Sequence, residues 1–201
     1  MRAALVSRLV DDRWDTSLED AARAAAVAVD VPIGAVTLVG DRLVHFVAHV
    51  GLPAELEVSR AVAVELACDR AVVERGAAVV CNDGRGNPTL RPELLHAWEF
   101  CAYVGFPIDV DGVVVGALCG VDRVARAFGN DDVAALAGIA AGVGRRLKDK
   151  LTARAHAVDD DARVELAPFL RLLQAAQVGA LPPDALVRAL RVLPPAPLPA
   201  R

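Results

Sequence analysis

Four cysteines and four histidines are the side chains here best suited to nucleophilic, redox or metal chemistry. Their spacing excludes most of it. Cys68, Cys81, Cys101 and Cys119 are widely separated, none belongs to a Cys-x-x-Cys pair, and no histidine stands beside one at ligand spacing. A structural zinc ion needs four such donors in close pairs, so no metal is expected. Free thiols serving as small apolar core residues are expected instead. His45 and His49 stand four apart in a strand-like segment, hence on one face, which suits two half-exposed strand residues better than haem ligands. No Ser-His-Asp order, P-loop or Gly-x-Gly-x-x-Gly turn occurs, and "GRGNP" at 84–88 lacks the lysine and helix start of a phosphate cradle. The sequence assigns no catalytic residue and no cofactor, so the chain is expected not to be an enzyme.

Composition narrows the partners. Of 201 residues, 55% are hydrophobic and 24% charged, the balance of a chain that folds around a core. Net charge is −4 and lysine occurs only at Lys148 and Lys150, which is not the basic footprint of nucleic-acid binding. Apolar windows such as "AARAAAVAVDVPIGAVTLVG" are broken by charge, proline and glycine, short of the ~18 residues of a membrane helix. The start, "MRAALVSRLVDDRW", has too short an apolar run for a secretion signal. Neither nucleic acid nor membrane is expected as a partner, and the cytoplasm is the expected location.

The elements that would position a site follow from period and punctuation. A short helix is predicted over 2–10. A longer one runs from Thr16 to about Val29, with "TSLE" as a capping box and Thr16 as its N-cap. Strands 33–39 and 42–49 flank Gly40–Asp41 as a hairpin. Residues 61–75 read as a helix ended by Gly76, 77–81 as a short buried strand, 83–92 as a loop, and 91–98 as a helical turn or two. Strands 101–110 and 113–121 flank Asp111–Gly112, a type I′ turn signal. Neither face of 113–121 is polar, so this strand is predicted to be central and covered on both sides. Gly112, Gly116 and Gly120 share one face, permitting close approach by a helix or a ligand. Helix 131–151, with Asn130 as N-cap, is the longest.

This order of elements is that of a GAF domain, and four stretches resemble that family: "DVPIGAVTLVGDRLVHFVAHVGLP" at 30–53, "ELACDRAVVERGAAVVCNDGRGNP" at 65–88, "YVGFPIDVDGVVVGALCGVD" at 103–122 and "FGNDD" at 128–132. The resemblance spans roughly 15–150. It implies an α+β sandwich: a six-stranded antiparallel sheet with terminal helices on one face and a ligand-cavity side on the other. Trp98, Phe100, Tyr103 and Phe106 cluster within nine residues and would line that cavity or fill it as core. Asp83 in the loop, His96 in the bordering segment and Cys119 complete the expected ligand contacts. The Cys-His pair of bilin-binding relatives is absent, and the cysteines do not match the cluster of relatives that reduce methionine sulfoxide. Cyclic-nucleotide-binding relatives carry an Asn-Lys-Phe-Asp-Glu set where this chain has Asp122, Arg123, Phe128, Asp131 and Asp132; Arg123 is expected to pair with Asp131 or Asp132.

Residues 1–155 are read as the GAF domain, 156–192 as a helical C-terminal extension, and 193–201 as a disordered Pro-rich tail. Leu166, Phe169, Leu170 and Leu173 form an apolar stripe on the extension, to be covered by a partner protein or by the chain's own domain. Helix 131–151 is apolar around most of its circumference. A homodimer through the first and last GAF helices is therefore expected, with Leu136, Ile139, Val143 and Leu147 at its interface. Two functional readings remain: a regulatory module that binds a small molecule or senses redox state and acts through a partner, or a ligand-free scaffold for dimerisation and protein interaction.

Overall fold

Strands β1 (Ile33–Val39) and β6 (Val113–Asp122) pair antiparallel at the centre of a six-stranded sheet. β2 (Leu43–Val50) and β3 (Ala61–Ala63) extend it beyond β1, and β5 (Ala102–Val110) and β4 (Val79–Cys81) beyond β6, in the order β3-β2-β1-β6-β5-β4. The computed structural model describes residues 1–10, 15–87, 90–153 and 161–195. As its two apolar faces predict, β6 is central and covered on both sides.

One face is covered by α1 (Arg2–Leu9), α2 (Thr16–Ala28) and α6 (Asn130–Ala153). Leu18, Val36, Leu38, Ile108, Leu118 and Leu136 meet there and are fully buried. Small residues set the distance. A Cβ on Gly34 would fall on the Ala22 carbonyl oxygen of α2, and one on Gly144 of α6 would fall on the Asp109 carbonyl oxygen of β5. The helices therefore lie directly on the backbone of the sheet.

Two register slips change which side chains share a face. In β2 the pairing with β1 passes from Thr37–Phe46 to Val36–Ala48, leaving Val47 extra. The alternation breaks, so His45 and His49 do not share a face, contrary to the expectation from their spacing. His45 is buried at 2% exposure, not half-exposed. In β6 the pairing passes from Ile108–Gly116 to Asp109–Val114, leaving Val115 extra. Ala117 and Cys119 consequently face one layer, while Val113 and Val115 face the other.

Several local expectations are corrected. Residues 61–75 are not one helix: Ala61–Ala63 form edge strand β3, a turn follows, and α4 begins only at Asp69 (Asp69–Arg75). Helical propensity over 61–68 yields to pairing with β2. The N-cap of α2 is Asp15, whose carboxylate accepts from the Ser17 amide at 3.1 Å, rather than Thr16. α3 (Ala54–Ser59), directly after Pro53, was not anticipated. The ion pairs near the start of α6 are made by Arg126, to Asp30 at 2.9 Å and Asp122 at 3.5 Å, in place of the Arg123 pair.

The extension folds back on its own domain. α7 (Asp161–Gln177) and α8 (Pro183–Arg191) pack on α3 and the β2–β3 edge, where Leu172, Leu181, Ala185, Ala189 and Leu193 bury with Leu43 and Ala61. The Ala63 amide donates to the Val192 carbonyl at 2.5 Å, so the end of the extension is tied to edge strand β3. Leu193 is buried and belongs to this packing, not to a disordered tail; residues from 196 on lie outside those described. Phe169 packs inward, while Leu166, Leu170 and Leu173 remain exposed.

Candidate functional site

The sheet face opposite α1, α2 and α6 is covered by α3, α4 and α5 (Pro92–Trp98) with their connecting segments. These do not fill the space completely. A cavity of about 40 Å³ lies between them and the sheet. Its wall is apolar, built from Ile33 and Ala35 of β1, Phe46 of β2, Leu56 of α3, Leu94 of α5 and Val121 of β6, among others. Against this wall stands a single charged side chain among the described lining residues, Asp69 at the start of α4.

Asp69 is 6% exposed, and its carboxyl lies 2.7 Å from the Thr37 hydroxyl, tying α4 to the centre of the sheet. Thr37 Oγ1 also lies 3.2 Å from the Ala117 carbonyl oxygen, to which it can donate. The Tyr103 hydroxyl and the Cys119 thiol lie beside the carboxyl as well. Burial pushes the Asp69 carboxyl above its ordinary value, against the effect of the hydrogen bond with Thr37. Tyr103 reaches this corner by lying across Gly105, where any Cβ would collide with its hydroxyl.

Of the seven expected ligand contacts, the structure brings Phe100, Tyr103 and Cys119 to the cavity wall. Trp98 is buried one layer away, its ring centroid 6.2 Å from that of Phe100 and its indole beside Glu55. Phe106 is misplaced by the expectation. It stands three residues from Tyr103 on a regular strand, so it faces the opposite layer and packs under the helices. His96 lines a separate open groove of about 410 Å³ between α5 and α8, with Glu93, Arg188 and Arg191. Asp83 lies outside the cavity in the loop after β4, where the Arg85 guanidinium at 2.7 Å holds its carboxyl well below the usual carboxylate range.

Asp69, Thr37, Phe46 and Leu56 were not anticipated. Thr37 was the visible signal, a lone polar residue in the otherwise apolar "IGAVTLV". The expected dimer residues Leu136, Val143 and Leu147 are instead buried against the chain's own sheet, and Ile139 is half-buried at its margin.

The four cysteines are all buried and free. Burial pushes the thiols of Cys68, Cys81 and Cys119 upward, Asp69 adding to the effect at Cys68 and Cys119. These three are poised as thiols, not as thiolate nucleophiles. Among the described residues, no group of three or more His, Cys, Asp or Glu is placed to hold a metal ion, and no helix is long and apolar enough to cross a membrane.

A central β1–β6 pair, helices α2 and α6 on one face and a small covered cavity on the other define the GAF fold. The chain belongs to the GAF domain family, whose sequence model matches residues 13–147. Solved structures share the fold. The GAF domain of the phosphoenolpyruvate-protein phosphotransferase from Acinetobacter is 15% identical with a TM-score of 0.58, over 78% of this chain and 98% of that one. The second GAF domain of DevS from Mycobacterium smegmatis is 20% identical with a TM-score of 0.55, over 71% and 98%. The free methionine-R-sulfoxide reductase from Neisseria meningitidis, in complex with its substrate, is 16% identical with a TM-score of 0.54, over 78% and 91%. At these identities the likeness is one of fold. No curated protein matches the chain in sequence.

Proposed function

We propose that this chain is a non-enzymatic regulatory module that binds a small molecule in the cavity under α3, α4 and α5 and acts through a partner protein. The observation that carries this reading is the cavity itself: an apolar space closed by separate short elements, with one convergent polar corner at Asp69, Thr37 and Tyr103. A scaffold that only dimerises has no need of such a space. Burial of all four cysteines gives a thiol-dependent reductase and redox sensing less support than ligand binding.

α3 is suited to transmit occupancy. Leu56 points into the cavity, while Glu55 receives Arg188 of α8 at 2.5 Å and the Ser59 carbonyl accepts from Arg171 of α7 at 2.9 Å. A ligand that displaces Leu56 therefore shifts the seat of both tail helices. Their outer face, with Leu166, Leu170 and Leu173 exposed, is the surface offered to a partner protein. A homodimer in this reading uses the outer face of α6, where Ala134, Gly138 and Ala141 are exposed.

A cavity-filling variant tests the binding site. Ala67 is a partly buried lining residue, so Ala67→Met fills space without cutting into the sheet. In a thermal-shift screen of small metabolites, at least one compound is expected to raise the melting temperature of the wild type by several degrees and that of the variant much less. For a chain of this length each ~1 kcal/mol of binding is worth about 2–4 °C. A screen in which nothing stabilises the wild type, or in which the variant responds equally, removes the reading.

A further inference from the structure

We propose that the cavity is built to receive a small organic ammonium ion, an amine of about three heavy atoms with a short apolar body, its charged head seated on Asp69. This rests on the reading of the cavity as a binding site and names the ligand chemistry.

Size comes first. A space of about 40 Å³ exceeds the roughly 10–15 Å³ that holds one water, so about three waters or a compact organic molecule fit. Nucleotides and haem are far too large for it. Charge comes second. A carboxylate taken out of water must be neutralised by a proton or offset by a cation. The groups beside Asp69 are Thr37, Tyr103, Cys68 and Cys119, none of which brings a positive charge. Thr37 lies between Asp69 and the Ala117 carbonyl, so a protonated Asp69 can donate to Thr37, whose hydroxyl donates in turn to the Ala117 carbonyl oxygen. An ionised Asp69 instead accepts from Thr37. Both protonation states are satisfied in the same geometry, and an ammonium head selects the ionised one.

The wall supplies the third argument. Phe46, Phe100 and Tyr103 border the cavity together with the single carboxylate. Aromatic faces attract a cation through the ring quadrupole, and most strongly where water is excluded. A carboxylate ligand would meet Asp69 as a like charge. A neutral alcohol would gain a hydrogen bond and nothing from the rings. A small ammonium ion is the chemistry that uses every polar and aromatic feature of the wall.

Three probes of similar size separate these cases: ethylammonium chloride, ethanol and sodium acetate, titrated into the full chain and followed by amide NMR shifts. Ethylammonium is expected to shift the amides of β1, α4 and β6 saturably, with a dissociation constant at least tenfold below that of ethanol and no binding by acetate. Asp69→Asn keeps the shape and a hydrogen bond to Thr37, and its dispersed spectrum will report that it is folded. In that variant the preference for ammonium over alcohol should vanish. Ethanol binding as tightly as ethylammonium, or an unchanged preference in Asp69→Asn, overturns the ammonium assignment while leaving the cavity a binding site. Failure of all three probes overturns the assignment as well, and the metabolite screen then decides the broader reading.

Discussion

Acidification from pH 6.5 towards 3 is expected to destabilise the protein by up to ~5 kcal/mol through His45 alone, at about 1.4 kcal/mol per pH unit. Burial of the imidazole lowers its pKa from 6.5 to about 3, and the nearby Arg171 and Arg60 push it in the same direction. The folded chain therefore holds His45 neutral, while the unfolded chain takes up a proton below 6.5. Stability from this group is full above pH 6.5 and is lost as pH falls to about 3. His49 is also lowered by burial and adds to the loss. Asp69, raised by burial, works the other way, since the folded state holds its proton more tightly as pH falls. Between pH 6.5 and 5, above the range where ordinary carboxylates titrate, His45 should dominate with a loss of about 2 kcal/mol. Urea denaturation at both pH values checks this: His45→Gln should flatten the dependence to the residue left by His49. An equal dependence in wild type and variant would show that His45 is not held neutral. Since Arg171 belongs to α7, that helix should be the first to loosen as His45 gains its charge.

Replacing Gly34 by valine is expected to cost about 3 kcal/mol or more and to leave little folded protein. Overpacking typically costs about 1–3 kcal/mol when side chains can yield. Here the obstacle is the backbone carbonyl of Ala22, with the Ala26 Cβ also only 3.0 Å from the added atom. α2 would have to leave the sheet, exposing Leu18, Ala22 and Ala25, all fully buried. Gly138→Ala is the informative contrast. No atom lies within 4 Å of a Cβ added there, so the helix should gain up to ~1 kcal/mol. A fall in stability at Gly138→Ala would mean that the second copy of the proposed dimer approaches Gly138 too closely to admit a methyl group. A folded Gly34→Val protein with wild-type urea midpoint would contradict the close seating of α2.

The fold was largely legible because its signals are local. Gly40–Asp41 and Asp111–Gly112 mark two hairpins, and the apolar "VVVGALCGV" marks a strand covered on both faces. Legibility stopped where long-range pairing overrode local pattern. "AVAVELACDRAVVER" carries a helical pattern throughout, yet its first three residues complete the sheet edge against β2, and this moves Asp69 from mid-helix to the start of α4. The most informative polar residue of the cavity was hidden by that single misreading. Strand alternation, applied strictly, would have separated Phe106 from Tyr103. The extra residues Val47 and Val115 set limits on alternation, because a bulge is not written in residue types. The fate of α7 and α8 was undecidable in sequence for a simple reason. An amphipathic helix states that it needs cover, not whose.

The central claim is that the cavity is a ligand site. Native mass spectrometry of the intact chain purified from its own host tests it most directly, under conditions gentle enough to keep non-covalent complexes. The account predicts a stoichiometric small-molecule adduct on a dimer mass, lost on denaturation and reduced in Ala67→Met. A spectrum showing only the bare chain mass, in every charge state and from cells in every growth condition sampled, would contradict it.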